Sequence, residues 1–500
     1  MKKIHFLVIV IPIFLMSCLS KNEAKISISI DGYEKNTPIV IQVSDGIGSL
    51  SFWKPDTVVA NKKGEFEIKI PIKEPQIITI QPLQSNGLYI SSPIMISNGG
   101  KYKISLSVKN PQKTILNPVF EGKNEKGIYQ LIQFDQYIAL QEGKNSFFTA
   151  SSPTELQPKI YEKIQIELKP FENYLKNGSI DKPFYDYANQ YINYYFAYKS
   201  IQYINSETTK SDTTKTKEWH ELKKTIFKNF PVSNQNILLS HVGKEYIDLY
   251  ISELIQENKK EYDEALKQSL GQTFVFQKMK KVLHPNVFKY VALQYIDSKV
   301  IRLDYETITL FELYTKLHPD CMESPIYKKI QNQSIPSIKA FYASKDKALQ
   351  SEIVVLDDSY EINSLKEITQ KIQGQYVFID IWASWCPDCI SEFKYNDVLK
   401  KYLKEKNIPI VYIAFERSPD REKWKLYLNK YQLLGNHVKC SDALKEDLYR
   451  ILGTRSVWIP RYMLIGPNGD VVISDAPTPS SGKKLYDLID SKINSVIVNP

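Results

Sequence analysis

The stretch Val377-Phe378-Ile379-Asp380-Ile381-Trp382-Ala383-Ser384-Trp385-Cys386-Pro387-Asp388-Cys389 decides the fold of the C-terminal part of this chain. Residues 376–381 form an apolar run interrupted by one carboxylate, Asp380, which is the pattern of a strand buried on both faces. Two cysteines follow at C-x-x-C spacing, where a helix is expected to begin and to run to about residue 406. A cysteine at a helix N-terminus meets unpaired N–H groups and the positive end of the helix dipole. Both favour the thiolate, the attacking species in disulfide exchange. Cys389 stands one turn later, near enough to attack a mixed disulfide and release the product, and its sulfur is expected to be the more buried. Pro387 suits the first helical turn because it has no N–H to leave unsatisfied.

The pattern around this stretch is α/β. Residues 353–356 read as a strand, and Ser364 with Glu367 has capping-box spacing, so a helix starts there. A second buried strand is expected over 408–415. A helix over 420–432 has Trp424 and Leu428 on one face, and a short strand ends near Cys440. A helix over 443–452, a hairpin of 461–465 and 470–473 around Gly466-Pro467-Asn468-Gly469, and a last helix over 483–493 complete the domain.

Buried strand, W-A-x-W-C-x-x-C, helix, and a proline ahead of a hairpin together resemble the thioredoxin superfamily, over residues 350–500. The likeness is to its membrane-tethered branch, which serves periplasmic disulfide reduction and includes the cytochrome c maturation reductases. The resemblance implies a thioredoxin-like fold and a redox-active Cys386–Cys389 pair that needs no other cofactor. It gives Asp380 the role of the buried acid that shuttles the Cys389 proton. An acid in an apolar strand should have a raised pKa and so serve as a base. The resemblance also implies a cis Ile459–Pro460 bond facing the dithiol, with the Ile459 backbone offering a strand edge to a substrate polypeptide. Trp382 reads as packing. Trp385, Pro387, Asp388 and Ile459 form the expected substrate-binding rim. Asp388 departs from the common Gly-Pro filling. Its carboxylate opposes the thiolate, which should make the pair more reducing than a strongly oxidising periplasmic oxidase.

Lys2 and Lys3, the apolar run 6–16 and Ser17-Cys18 have the layout of a signal peptide. The run is shorter than the ~20 residues that span a bilayer. Cys18 directly after a small residue resembles the bacterial lipobox, which implies a diacylated thiol as the first residue of the mature protein. Two acyl chains anchor stably. A lipid-anchored protein on the periplasmic side of a bacterial cell membrane is therefore expected. Protein thiols and disulfides would be its substrates, with a membrane electron donor if it is a reductase.

The rest reads as a multidomain chain: a signal over 1–17, a tether over 18–24, an antiparallel β-sandwich over 25–115, an α-helical middle over 120–345, and the α/β domain over 350–500. Phe66, Ile68 and Ile70, and likewise Tyr102, Ile104 and Leu106, alternate with polar residues as sandwich strands do. This layout loosely resembles the small β-domain found ahead of thioredoxin-like domains in many Gram-negative lipoproteins. Tyr246, Tyr250 and Leu254 with Ile247 and Ile251 mark one buried helix face, and the tyrosines of 184–198 read as helix core. The polar stretch 206–217 is expected to be an exposed loop. Net charge is +9, but no dense basic run is present, which argues against nucleic acid as a partner.

Two other functions compete. Cys386-x-x-Cys389 with His437-x-x-Cys440 has spacing that zinc could use, but Cys440 ends a strand in this layout and the tryptophan frame fits a redox pair, so no metal is expected. His318-x-x-Cys321 is a similar coincidence; Cys321 and Cys440 read as buried small apolar residues. A non-catalytic partner-binding lipoprotein would not require both cysteines and Pro460, and a peroxidase would use a lone cysteine in another loop.

Overall fold

The computed structural model describes residues 23–32, 39–43, 54–61, 64–71, 76–82, 94–107, 119–142, 148–209, 213–239, 242–344, 347–372, 376–416 and 421–498. The leader and Cys18 lie outside them. The chain forms two compact units: residues up to Ser252 with Val282–Val287, and Glu253–Lys281 with Phe288–Pro500. The helical stretch 120–345 is thus divided between them.

The first unit opens with eight strands: β1 (Glu23–Asp31), β2 (Ile39–Val43), β3 (Lys54–Val58), β4 (Glu65–Pro71), β5 (Gln76–Pro82), β6 (Ile94–Ile96), β7 (Lys101–Ser107) and β8 (Val119–Gly122). They make two four-stranded sheets, ordered β4-β1-β7-β8 and β3-β2-β5-β6. The expected all-antiparallel pairing fails at one place: β1 and β7 run parallel, Ile26 beside Tyr102 and Ile28 beside Ile104. After β4 the chain crosses to the other sheet for β5 and β6, and it returns in the direction of β1. Alternation still selects the buried face, with Ala24, Ile26, Ile28 and Ile30 inside.

Helices α1 (Glu125–Glu142), α2 (Pro153–Lys176), α3 (Lys182–Thr208), α4 (Thr213–Asn229) and α5 (Gly243–Glu257) follow. The tyrosine-rich α3 buries Tyr187, Tyr191, Tyr194 and Tyr195. On α5, Tyr246, Ile247 and Ile251 are buried. Of the stretch 206–217, expected as a loop, residues 206–208 and 213–217 are helical and 210–212 lie outside the described residues. Its hydroxyls bond back to helix carbonyls, Ser206 to Tyr203 at 2.8 Å and Thr208 to Asn205 at 2.9 Å, and so carry α3 to its end.

The second unit joins α6 (Lys259–Lys267), α7 (Gly271–Val282) and α8 (Pro285–Lys299), apart from the Val282–Val287 junction between them, and α9 (Glu306–Leu317), α10 (Pro325–Lys329) and α11 (Ile335–Ala343) to the α/β domain. That domain contains β9 (Ile353–Asp357), α12 (Leu365–Lys371), β10 (Val377–Trp382), α13 (Pro387–Glu392), α14 (Asn396–Glu405), β11 (Ile410–Ala414), α15 (Arg421–Lys430), β12 (Gly435–Lys439), α16 (Asp442–Leu452), β13 (Arg461–Ile465), β14 (Val471–Ala476) and α17 (Lys483–Val498). The sheet order is β14-β13-β10-β11-β12-β9, with β10 parallel to β11 and antiparallel to β13. Ser364 caps α12: its Oγ accepts from Glu367 N at 3.3 Å, while the Glu367 carboxylate reaches back to Asn363 N, one residue ahead of the cap, at 3.0 Å. The single helix expected from 386 to 406 is broken by a 3₁₀ turn, Phe393–Tyr395. Phe393 is held there by edge contact with Trp382, with ring centroids 5.2 Å apart.

Helices α8 to α11 are built onto α15. Tyr427 donates to Arg302 O at 2.6 Å and meets Phe341 edge-on at 5.3 Å. Lys423, only 7% exposed, pairs with Asp304, which also accepts from Gln272 Nε2. Removing one partner of a buried ion pair strands the other charge, at a cost of about 3–5 kcal/mol. Asp304→Ala is expected to lower unfolding stability by that much, and Asp304→Leu combined with Lys423→Met to restore most of it. Denaturant titration checks both. Among the described residues, no helix is long and apolar enough to cross a membrane.

Candidate functional site

Strand β10 carries the site on one of its two faces. Val377, Ile379 and Ile381 enter a core with Leu365 and Ile368 of α12 and Leu444 and Leu448 of α16. Phe378, Asp380 and Trp382 alternate to the other face. Asp380 is 1% exposed. Its cross-strand neighbours are Tyr412 on β11 and Tyr462 on β13. Neither of its carboxylate oxygens has a hydrogen-bond partner among the described residues. Burial, with a smaller contribution from the charge of Glu392, pushes its pKa up to about 8. Burial and the nearby Asp380 also push both tyrosine hydroxyls well above their ordinary value.

At the C-terminal end of β10 the chain turns through Ala383-Ser384-Trp385 into the cysteines. Cys386 is the N-cap of α13, with extended φ and ψ of −97° and 101°, and Pro387 opens the helix. The Cys389 N–H donates to Cys386 Sγ at 3.1 Å. The two sulfurs are joined in a disulfide, with Cα atoms 5.4 Å apart. Cys386 is 5% exposed and Cys389 1%. Pro387 and Asp388 are exposed. Trp385 is half-buried, its indole fixed by Nε1 donating to Phe415 O at 2.9 Å. The Ile459–Pro460 bond is cis. Ile459 packs on the core beside β13, and Arg461 pairs with Ile381, so Pro460 stands at the same end of the sheet as the cysteines.

Two acids were not singled out by the sequence pattern. Glu392 stands one helical turn beyond Cys389 and accepts from Ser480 N at 2.9 Å. Its spacing after the motif was the available signal. Glu416 is the first polar residue after the buried run of β11, at the strand end where α/β folds place their sites. It accepts from both the N–H and the hydroxyl of fully buried Ser384, at 2.8 and 2.7 Å, and so fixes the turn leading to Cys386. Hydrogen bonds to a charged group contribute about 1.5–3 kcal/mol each. Glu416→Ala is expected to lower the unfolding free energy, read by denaturant titration, by at least one such contribution; an unchanged unfolding free energy would show that the turn holds without it.

The residues weighed as a zinc set have other partners. His437 stacks on Tyr412 at 4.9 Å with Nε2 2.6 Å from Leu433 O, and the Cys386 and Cys389 sulfurs bond each other. Burial holds the His437 pKa down to about 4 and pushes the Cys440 thiol up to about 12. Cys321 is buried and stands outside the disulfide. Among the described residues, no group of three or more His, Cys, Asp or Glu side chains is placed to hold a metal ion.

Residues 374–471 match a family model described as thioredoxin-like. The thiol:disulfide interchange protein DsbE of Haemophilus influenzae is 32% identical over 108 residues, covering 21% of this chain and 58% of that protein. The thiol-disulfide oxidoreductase ResA of Bacillus cereus is 31% identical over 140 residues, covering 27% of this chain and 73% of that protein. A solved thiol-disulfide oxidoreductase from Bacteroides fragilis aligns at 21% identity and a TM-score of 0.20, covering 25% of this chain and 85% of that one. The match spans β10, the cysteine pair, Pro460 and β13, ending at the first residue of β14, and it includes Asp380, Glu392 and Glu416. On that agreement of sequence with site, this chain belongs to the thioredoxin-like thiol-disulfide oxidoreductases.

Proposed function

We propose that the protein is a lipid-anchored reductase of protein disulfides, working on the periplasmic side of a bacterial membrane through Cys386 and Cys389. The observation that carries the reading is the disulfide at the start of α13, with an acid six residues ahead of it in the strand that leads to it, buried and without a hydrogen-bond partner among the described residues. In the reduced form, Cys386 thiolate attacks a substrate disulfide, breaking that S–S bond and expelling one substrate thiolate. The Cys389 N–H at Cys386 Sγ stabilises the charged form. Cys389, deprotonated by Asp380, then attacks the mixed disulfide. This closes the Cys386–Cys389 bond and frees the second substrate thiolate. Two electrons pass from the dithiol to the substrate, and the two dithiol protons end on the two product thiols.

Trp385, Pro387, Asp388 and Ile459 would form the rim that contacts the substrate. A membrane electron donor would reopen the disulfide. The lipobox-like Cys18 supports the anchor, and the two sheets ahead of the helices would hold a partner or select the substrate. The test is turnover: protein reduced with dithiothreitol should reduce a protein disulfide catalytically. Cys18→Ser should move the protein from the membrane to the soluble fraction without loss of that activity. An inert wild-type protein would refute the enzyme reading, and a Cys18→Ser protein still on the membrane would refute the anchor.

A further inference from the structure

Trp458 is 78% exposed, more than any other large apolar side chain among the described residues. Its two neighbours, Val457 and Ile459, both pack against the core formed by β10, β11 and β13. With both neighbours turned to the core, the side chain between them is left facing solvent. The indole is thus presented to solvent rather than to the core. Trp458 and Ile459 make no main-chain hydrogen bond to another described residue. The β10–β13 ladder begins only at Arg461, opposite Ile381. Because those strands are antiparallel, the segment 457–460 and the turn leading from β10 to Cys386 lie at the same end of the sheet.

A large apolar side chain held in water costs free energy that burial by a partner recovers, and tryptophan is prominent among residues that dominate binding. Open N–H and C=O groups beside it suit a partner in extended conformation. We propose that Trp458 is the anchor for the substrate polypeptide. It would dock an extended segment that bears the disulfide cysteine and an apolar or aromatic side chain close to it. The inference rests on the oxidoreductase reading and names its substrate class: polypeptide disulfides with apolar flanks, preferred over small or polar ones. The exchange step is unchanged, with one substrate S–S bond broken, the Cys386–Cys389 bond formed, and an external dithiol restoring the reduced protein.

The test uses the full chain, reduced with dithiothreitol, and three substrates. These are bis(2-hydroxyethyl) disulfide and two short peptides, each carrying one cysteine as its glutathione mixed disulfide, flanked by Phe in one and by Ser in the other. Wild type should favour the Phe peptide. Trp458→Ala should lower kcat/KM for the Phe peptide by about tenfold and leave the other two substrates and the reduction potential unchanged. Trp458→Phe should keep most of the preference. Equal losses on all three substrates, or no loss on the Phe peptide, would overturn the proposal. Wild type that reduces the small disulfide but does not distinguish the peptides sinks this inference alone. Wild type inert toward every disulfide sinks the oxidoreductase reading beneath it.

Discussion

Cys389→Ser is expected to stop turnover after one exchange and to leave the substrate bound to Cys386. Intact mass should show one substrate adduct per chain, removed by dithiothreitol. Cys386→Ser should form no adduct and show no exchange above background. The asymmetry follows from the positions of the sulfurs. Cys386 caps α13, receives the Cys389 N–H, and is the more accessible of the two at 5% against 1%. Its thiolate form is the nucleophile. Cys389 lies inside the first turn, where it can reach Cys386 but not a substrate in solvent. A Cys386→Ser protein that carried the adduct would reverse the two roles.

Asp380→Asn is expected to change both stability and rate, with opposite signs. A carboxyl whose folded pKa lies above its unfolded value binds its proton more tightly in the folded state. The stability supplied by that proton is full below the ordinary value of 3.8 and is lost as pH rises toward about 8. Each pH unit in this window is about 1.4 kcal/mol, so Asp380 costs the oxidised wild type roughly 4 kcal/mol at pH 7. Asp380→Asn should therefore be more stable than wild type at pH 7, with the gain shrinking to nothing near pH 4. Denaturant titrations of the oxidised proteins at several pH values read this directly; a gain independent of pH would show that Asp380 does not titrate in that window. The same substitution removes the base for Cys389, and general-base groups contribute on the order of 10²-fold or more. The variant should therefore turn over more slowly than wild type at neutral pH, and full activity would count against the role.

The parts of this fold that local pattern dictates are legible in the sequence. Asp380 interrupting an apolar run marks a strand with both faces covered, and the structure buries all six residues of β10. Ser364 with Glu367 marks a helix start and forms the cap. What is not legible depends on contacts between distant residues. Asp304 and Lys423, 119 positions apart, help tie α8 to α11 to the α/β domain, and neither residue signals the other in sequence. The parallel pairing of β1 with β7 is set by the chain's excursion through the second sheet rather than by side-chain alternation, which parallel and antiparallel partners share. The break at Phe393 comes from a ring packed on Trp382. At the site, the C-x-x-C spacing exposes the cysteines, but Glu392 and Glu416 look like ordinary surface acids until the fold brings one to within electrostatic reach of Asp380 and the other to Ser384.

The most direct test of the central claim, that Cys386 and Cys389 form a reducing couple, is a redox titration of the purified chain. The protein would be equilibrated in graded dithiothreitol buffers, its free thiols alkylated, and the peptide containing both cysteines followed by mass. The account predicts a single two-electron transition near the thioredoxin value of about −270 mV. A transition near about −120 mV, typical of a strong oxidant, or a pair that never closes would contradict it.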